Sequence, residues 1–239
     1  MGERTVSMGG ELETPVALPA VILEGQGTAD RLSTLEWIAR ASDDTIARRI
    51  DQLPWTLDFR EHAALFLNVY QNALPGVESG FPMVLKNGRL EFPGMLTSHS
   101  RYMPFIDGGR FVGTFHVHPS VTGSASAPFF DPQDLGSALR SDNAGFIYLL
   151  LARDRLFALV RTNPFLYISA HHVNRNPLLL LEQHSELIRA SGSREPGDPD
   201  YDEHFRRAGL YFFARYDLAL YEGVPRAPLS RTVSPRRNW

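Results

Sequence analysis

Two histidines, His116 and His118, stand two residues apart, and their spacing suits metal chemistry. The run 110–118 alternates in the manner of a β-strand, and strand residues two apart project from the same face. Both imidazoles therefore point to one place, as two ligands of a single metal ion must. Pro119 follows directly and ends the strand, which places the pair at the C-terminal end of the strand, beside a loop.

A carboxylate downstream supplies the third candidate ligand. Asp131 suits a helix N-cap, Pro132 the first helical position, and Asp134 the first turn. The chain has no cysteine, so His and carboxylate side chains must hold any metal. Two histidines and one Asp are typical of a catalytic zinc site with its fourth position open to water. The same set also matches the facial triad of non-haem iron oxygenases, which is an alternative.

The elements that position these residues follow from hydrophobic periodicity. Helical spacing recurs from Asp30 to Ile50, and Asp58 suits the cap of a further helix. Asn87-Gly88 between apolar runs predicts a β-hairpin. The pattern gives a hairpin over 77–96, strands over 110–118, 145–151 and 156–161, and helices over 132–140, 178–190 and 200–221. This order of elements predicts an α+β fold.

Composition limits the classes of function. The 239 residues are 43% hydrophobic and 21% charged, with a net charge of −3, which is typical of a globular protein. The absence of excess positive charge argues against nucleic acid or an anionic membrane as a partner. No apolar run approaches the roughly 20 residues of a membrane span, and residues 1–10 lack the pattern of a secretory signal. We therefore expect a cytoplasmic protein.

The run Val112-Gly113 followed by His-x-His-Pro and a downstream Asp resembles the JAMM (MPN+) zinc metalloprotease family. The signature of that family is an upstream Glu, then His-x-His-Pro, then Ser-x-x-Asp. The order of elements is similar over residues 58–163. The resemblance implies a cytidine-deaminase-like MPN core with a mixed sheet flanked by helices. Residues 1–57 then form a leader with helices, and residues 164–239 form a C-terminal helical extension and tail.

The resemblance also implies roles for individual residues. His116, His118 and Asp134 are expected to hold Zn²⁺, and a glutamate is expected to act as general base. Glu78 matches the family's position for that base, and Glu91 on the second arm of the hairpin is the alternative. Zinc lowers the pKa of a bound water toward ~7. The glutamate then takes the water's proton and delivers it to the leaving amine.

Two departures from the family pattern bear on activity. The family's spacing puts its Asp where this chain has Phe129, because the loop before Asp134 is longer. Asp131 stands at the family's Ser position, where a carboxylate repels a developing oxyanion. Ser126 or Ser124 is the expected replacement donor, a group worth roughly 3 kcal/mol of barrier in other enzymes. Asp131 itself is an alternative ligand, although Asp134 keeps the family's helix register better.

The functional prediction is a zinc metallopeptidase or isopeptidase acting on a protein or peptide. The resemblance implies a ubiquitin-like or sulfur-carrier conjugate as the substrate. The alternative is a catalytically inactive MPN-type scaffold for protein interactions, which the loss of the motif Ser favours. The predicted terminal helices are compatible with a homodimer.

Overall fold

The structure is a computed structural model. It describes residues 32–75, 77–97, 108–119, 127–139, 145–162, 177–190, 198, 200–216 and 218–232. The α-helices are α1 (Thr34–Asp43), α2 (Ala63–Asn72), α3 (Pro132–Leu139), α4 (Pro177–Ala190) and α5 (Tyr201–Arg215). The strands are β1 (Thr56–Leu57), β2 (Ser79–Lys86), β3 (Arg89–Glu91), β4 (Leu96–Thr97), β5 (Arg110–His118), β6 (Ile147–Ala152), β7 (Arg155–Arg161), β8 (Leu218–Gly223) and β9 (Leu229–Thr232).

The strands form one mixed sheet. Eight of them lie in the order β1-β9-β8-β7-β6-β5-β2-β3, and β4 pairs with the first residues of β2. Strands β5 and β6 are parallel, and the connection between them contains α3. The other described pairs are antiparallel. The predicted α+β class with a mixed sheet and flanking helices is confirmed.

Local signals account for the starts of several elements. Helix α1 begins at a capping box, in which the Ser33 hydroxyl accepts from the Glu36 N–H and the Glu36 carboxylate accepts from the Ser33 N–H. The predicted hairpin is confirmed between β2 and β3. Asn87 and Gly88 have φ of 50° and 70°. The two-residue turn therefore takes the left-handed conformation that these residue types favour.

The sheet is covered on both faces, and each face has its own core. One core contains Trp37 of α1, Phe66 of α2 and Phe115 of β5. The other contains Phe129 and Phe130 ahead of α3, together with apolar residues of α5. Because strand residues alternate, Phe115 and Val117 enter the first core while the two histidines of β5 face α3.

The C-terminal third differs from the prediction of helices followed by a tail. The helix expected over 200–221 ends at Arg215, and β8 and β9 follow it as strands of the sheet. Strand β8 pairs with β7 along its full length, and β9 pairs with β1. Residues from both sides of the 58–163 segment thus share one sheet. Residues 1–31 of the predicted leader segment and the residues after 232 lie outside the described residues.

None of the helices described here combines the length and the apolar character needed to cross a membrane.

Candidate metal centre

The end of β5 lies beside the start of β2, which brings Glu78 close to the two histidines of β5. Ser79 pairs with Val117 and Gly80 pairs with His116. A Cβ on Gly80 would lie 2.1 Å from the Phe115 carbonyl oxygen and 2.8 Å from the His116 Cα. Only glycine permits this close approach of the strands. The residue just before β2 is Glu78, which the pairing therefore sets beside the end of β5.

Helix α3 brings the carboxylate to the same place. The Asp131 Oδ1 accepts hydrogen bonds from the backbone N–H of Gln133 at 2.7 Å and of Asp134 at 2.9 Å. The Asp134 Oδ2 accepts in return from the Asp131 N–H at 2.9 Å. This reciprocal cap confirms the predicted helix start at Asp131-Pro132. The same hydrogen bonds hold the Asp134 side chain beside the C-terminal end of β5.

The ligand atoms converge without forming aligned hydrogen bonds. The His116 Nε2 lies 2.9 Å from the Asp134 Oδ1, and the His118 Nε2 lies 3.4 Å from the Asp134 Oδ2. Both nitrogens are buried, and neither has a hydrogen-bond partner among the described residues. Ligand atoms that lie this close together without hydrogen-bonding one another are compatible with a shared metal ion. Two buried nitrogens without partners are otherwise costly.

A backbone carbonyl sets the tautomer of the more buried imidazole. The His118 Nδ1 lies 3.0 Å from the Ala127 carbonyl oxygen. A carbonyl oxygen only accepts, so Nδ1 carries the proton and donates it. The Nε2 lone pair is then directed at the cluster. This is the outer hydrogen bond that metal-binding histidines commonly make.

Charge at the site favours a cation. Burial alone lowers the pKa of His118, but the carboxylates of Asp134 and Glu78 outweigh it and raise that pKa to about 9. Burial, with the nearby charge of Asp134, raises the pKa of Asp131 to about 6. Burial also acts to raise the pKa of Asp134, yet the imidazoles of His116 and His118 hold it well below its usual range. Carboxylate charge at the site thus contributes to raising the pKa of both His118 and Asp131, and a bound cation would offset that charge.

The residues fit a divalent metal ion. The ligand atoms of His116, His118 and Asp134 lie within 4.8 Å of one another. Tetrahedral zinc bonds of 2.0–2.1 Å place ligands about 3.3 Å apart, close to the 2.9 Å and 3.4 Å observed. The donor set of two imidazoles and a carboxylate suits zinc, and it also suits iron.

The structure separates the two candidates for a general base. The Glu78 Oε1 lies 3.5 Å from the His118 Nε2, and the Glu78 side chain is 44% exposed at the mouth of the site. Glu91 pairs with Val84, six residues farther along β2 than Glu78. At ~3.3 Å per strand residue, that is roughly 20 Å from the site. Glu78 therefore belongs to the cluster and Glu91 does not.

The remaining positions raised by the family pattern are Phe129 and the two serines of the loop before α3. Phe129, at the spacing of the family's Asp, is buried in the aromatic core and faces Phe157 and Phe213. With the longer loop, the carboxylate beside the two histidines is that of Asp134. Ser124 and Ser126 lie outside the described residues.

Two supports of the site escaped the sequence analysis. The Ala127 carbonyl that orients His118 is a backbone group, which has no signal in the sequence. The second support is Gly209 of α5, where a Cβ would lie 2.9 Å from the Phe129 ring. Helix α5 therefore packs closely on the segment that leads into α3. A glycine inside an amphipathic helix was the one available signal for this contact.

No protein-family model, curated protein or solved structure matches this chain. A functional assignment therefore rests on the geometry and chemistry of the site.

Proposed function

We propose that this chain is a zinc-dependent hydrolase of the JAMM type that cleaves an amide or isopeptide bond. The observation that carries the proposal is that ligand atoms of His116, His118 and Asp134 lie within 4.8 Å of one another, with Glu78 beside them at the exposed side. The set matches the metal ligands and the base implied by the His-x-His-Pro resemblance.

Each residue has a distinct task in this proposal. His116, His118 and Asp134 would hold the metal, which when bound activates water and polarises a carbonyl group. Glu78 lies at the open side, where its carboxylate can take a proton from the attacking water and return it to the leaving amine. The Ala127 carbonyl holds His118 in the tautomer that presents Nε2. Apolar packing beneath β5 keeps both imidazoles on rigid backbone.

The proposed substrate is a protein or peptide, with a ubiquitin-like conjugate as the class that the resemblance suggests. A specific observation favours a second candidate, an inactive scaffold. Asp131 occupies the family's Ser position, where its charge opposes an oxyanion. Its Oδ1 is engaged in the helix cap. Ser126 is the proposed source of a replacement donor.

The experiment that tests this function compares Glu78→Gln with Glu91→Gln. We expect the native chain and Glu91→Gln to hydrolyse amide or isopeptide substrates, and Glu78→Gln to lose about 10²–10⁴-fold in kcat, the usual contribution of a general base. Zinc content should be equal in all three proteins. Equal loss in both variants would contradict the role of Glu78. A native chain that binds zinc and cleaves no substrate would support the scaffold.

A further inference from the structure

Asp131 has a carboxylate oxygen that the helix cap does not use. Its Oδ1 accepts the backbone N–H groups of Gln133 and Asp134. The cap is complete with this one oxygen, because a serine or asparagine side chain caps a helix in the same way. A second negatively charged oxygen at this position is therefore unnecessary for helix α3.

The carboxylate of Asp131 belongs to a second set of potential ligands. Ligand atoms of Glu78, His118 and Asp131 lie within 4.8 Å of one another, as do those of His116, His118 and Asp134. The His118 Nδ1 is engaged with the Ala127 carbonyl, so Nε2 is the atom that both sets share. A cation bound to this nitrogen would be within reach of both sets.

An independent observation at the shared atom points to a ligand. His118 is 2% exposed, and its Nε2 has no hydrogen-bond partner within the described part of the chain. Opposite ligands of a metal with bonds near 2.1 Å are about 4.2 Å apart. A separation within 4.8 Å is thus closed by a small side-chain rotation. Three carboxylates around one buried imidazole also repel one another unless a cation lies among them.

We propose that Asp131 is a further ligand of the metal, which two imidazoles and two carboxylates would then hold. The inference rests on the proposed function and concerns the metal of that same site. Four protein ligands and one water give a five-coordinate ion, in place of the four-coordinate ion expected from the resemblance. The extra carboxylate also narrows the preference for Zn²⁺ over Mn²⁺, because carboxylate ligands suit Mn²⁺.

The test uses Co²⁺ as the probe, since its visible absorption is most intense in four-coordinate sites, weaker in five-coordinate sites and weakest in six-coordinate sites. Asp131→Asn keeps the oxygen that caps α3 and removes the negative charge. Asp131→Ser restores the family's residue and is a second variant with a good cap. Asp154→Asn, in the exposed turn between β6 and β7, is the matched control. Thermal unfolding of each metal-free protein checks that the variants fold.

We expect weak cobalt bands from the native chain and from Asp154→Asn, and intense bands from both Asp131 variants. Cobalt affinity should fall at least roughly 10–100-fold in the Asp131 variants, since loss of even an outer partner of a metal ligand costs that much. Identical intense spectra from the native and Asp131→Asn proteins would overturn the inference. Retained amide hydrolysis in that case leaves the proposed function standing. A native chain that binds no cobalt at a saturating concentration overturns both.

Discussion

Asp131 and Asp134 cap one another at the start of α3: the N–H of each residue donates to the carboxylate of the other, and both bonds are 2.9 Å long. The arrangement ties the position of a candidate metal ligand to the first turn of a helix. The preceding segment also supplies the carbonyl that orients His118. One stretch of chain, residues 127–134, therefore aligns both the carboxylate and the imidazole.

Asp134→Asn should abolish most metal binding. The substitution removes the charge that faces both imidazoles, while an amide keeps nearly the same shape. We expect zinc affinity to fall by more than about 100-fold, beyond what loss of an outer partner costs. Isothermal titration with zinc measures the change, and the exposed Asp154→Asn serves as control. Unchanged affinity would remove Asp134 from the ligand set.

Gly209→Ala should destabilise the protein and weaken metal binding together. Alanine normally stabilises a helix by roughly 0.5–1 kcal/mol relative to glycine. Here the new Cβ would lie 2.9 Å from the Phe129 ring. Overpacking of this kind costs about 1–3 kcal/mol, and displacement of Phe129 moves the segment that leads to Asp131. Urea unfolding and zinc titration measure the two effects.

Gly136→Ala is the matched control for that experiment. Gly136 lies in α3, and a Cβ there meets nothing within 4 Å. The same substitution should therefore stabilise the protein by roughly 0.5–1 kcal/mol. A stabilised Gly209→Ala protein with native zinc affinity would show that α5 does not position the site.

Glu222→Ala should be far more costly than Glu203→Ala. The Glu222 side chain, on β8, is 6% exposed, and it accepts from Arg155, Arg206 and Thr232. Its loss leaves Arg206 without its carboxylate, and we expect a cost of about 3 kcal/mol in the free energy of unfolding. Glu203 forms an exposed pair with Arg207 on α5, worth less than about 1 kcal/mol. Equal losses of unfolding free energy in the two variants would show that the contacts of Glu222 contribute no more than an exposed ion pair.

Acid should destabilise the fold through His184 of α4. This residue is buried against Phe205 and Phe212, and burial lowers its pKa from 6.5 to about 4. Between those pH values the unfolded chain binds more protons than the folded chain. The contribution of neutral His184 to the free energy of unfolding is therefore complete above pH 6.5. It is lost as the pH falls through about 4, and the loss is at most about 3 kcal/mol.

The contribution of His184 is isolated by comparison with His184→Phe, because other groups titrate over the same range. Urea unfolding at several pH values gives the free energy of unfolding of both proteins. The native chain should lose more stability than the variant on acidification. Parallel pH profiles would show that His184 titrates normally in the folded state.

The sequence predicted those parts of the site that depend on local pattern. The spacing of His116 and His118 on a strand, and the capping role of Asp131, involve only neighbours along the chain. Strand β8 was missed because its short apolar run directly follows a helical pattern, and such a run suits either state. Its pairing with β7, for example Leu159 with Leu220, joins residues far apart in sequence.

The choice between Glu78 and Glu91 shows the same limit. Along the sequence, Glu78 matches the family's position for the base, and Glu91 on the second arm of the hairpin is the alternative. The close approach at Gly80, which is a property of two paired strands, brings only Glu78 to His118. Strand register therefore determines which glutamate lies beside the cluster, and spacing along the chain does not specify register.

Metal content is the most direct test of the central claim. The chain, purified without a His-tag or chelator, would be analysed by elemental mass spectrometry beside a His116→Ala/His118→Ala double variant. The account predicts a single zinc ion per native chain and none in the variant. Iron in place of zinc would favour the oxygenase alternative. A native chain that retains no metal, even after zinc is offered and the excess dialysed away, would contradict the account.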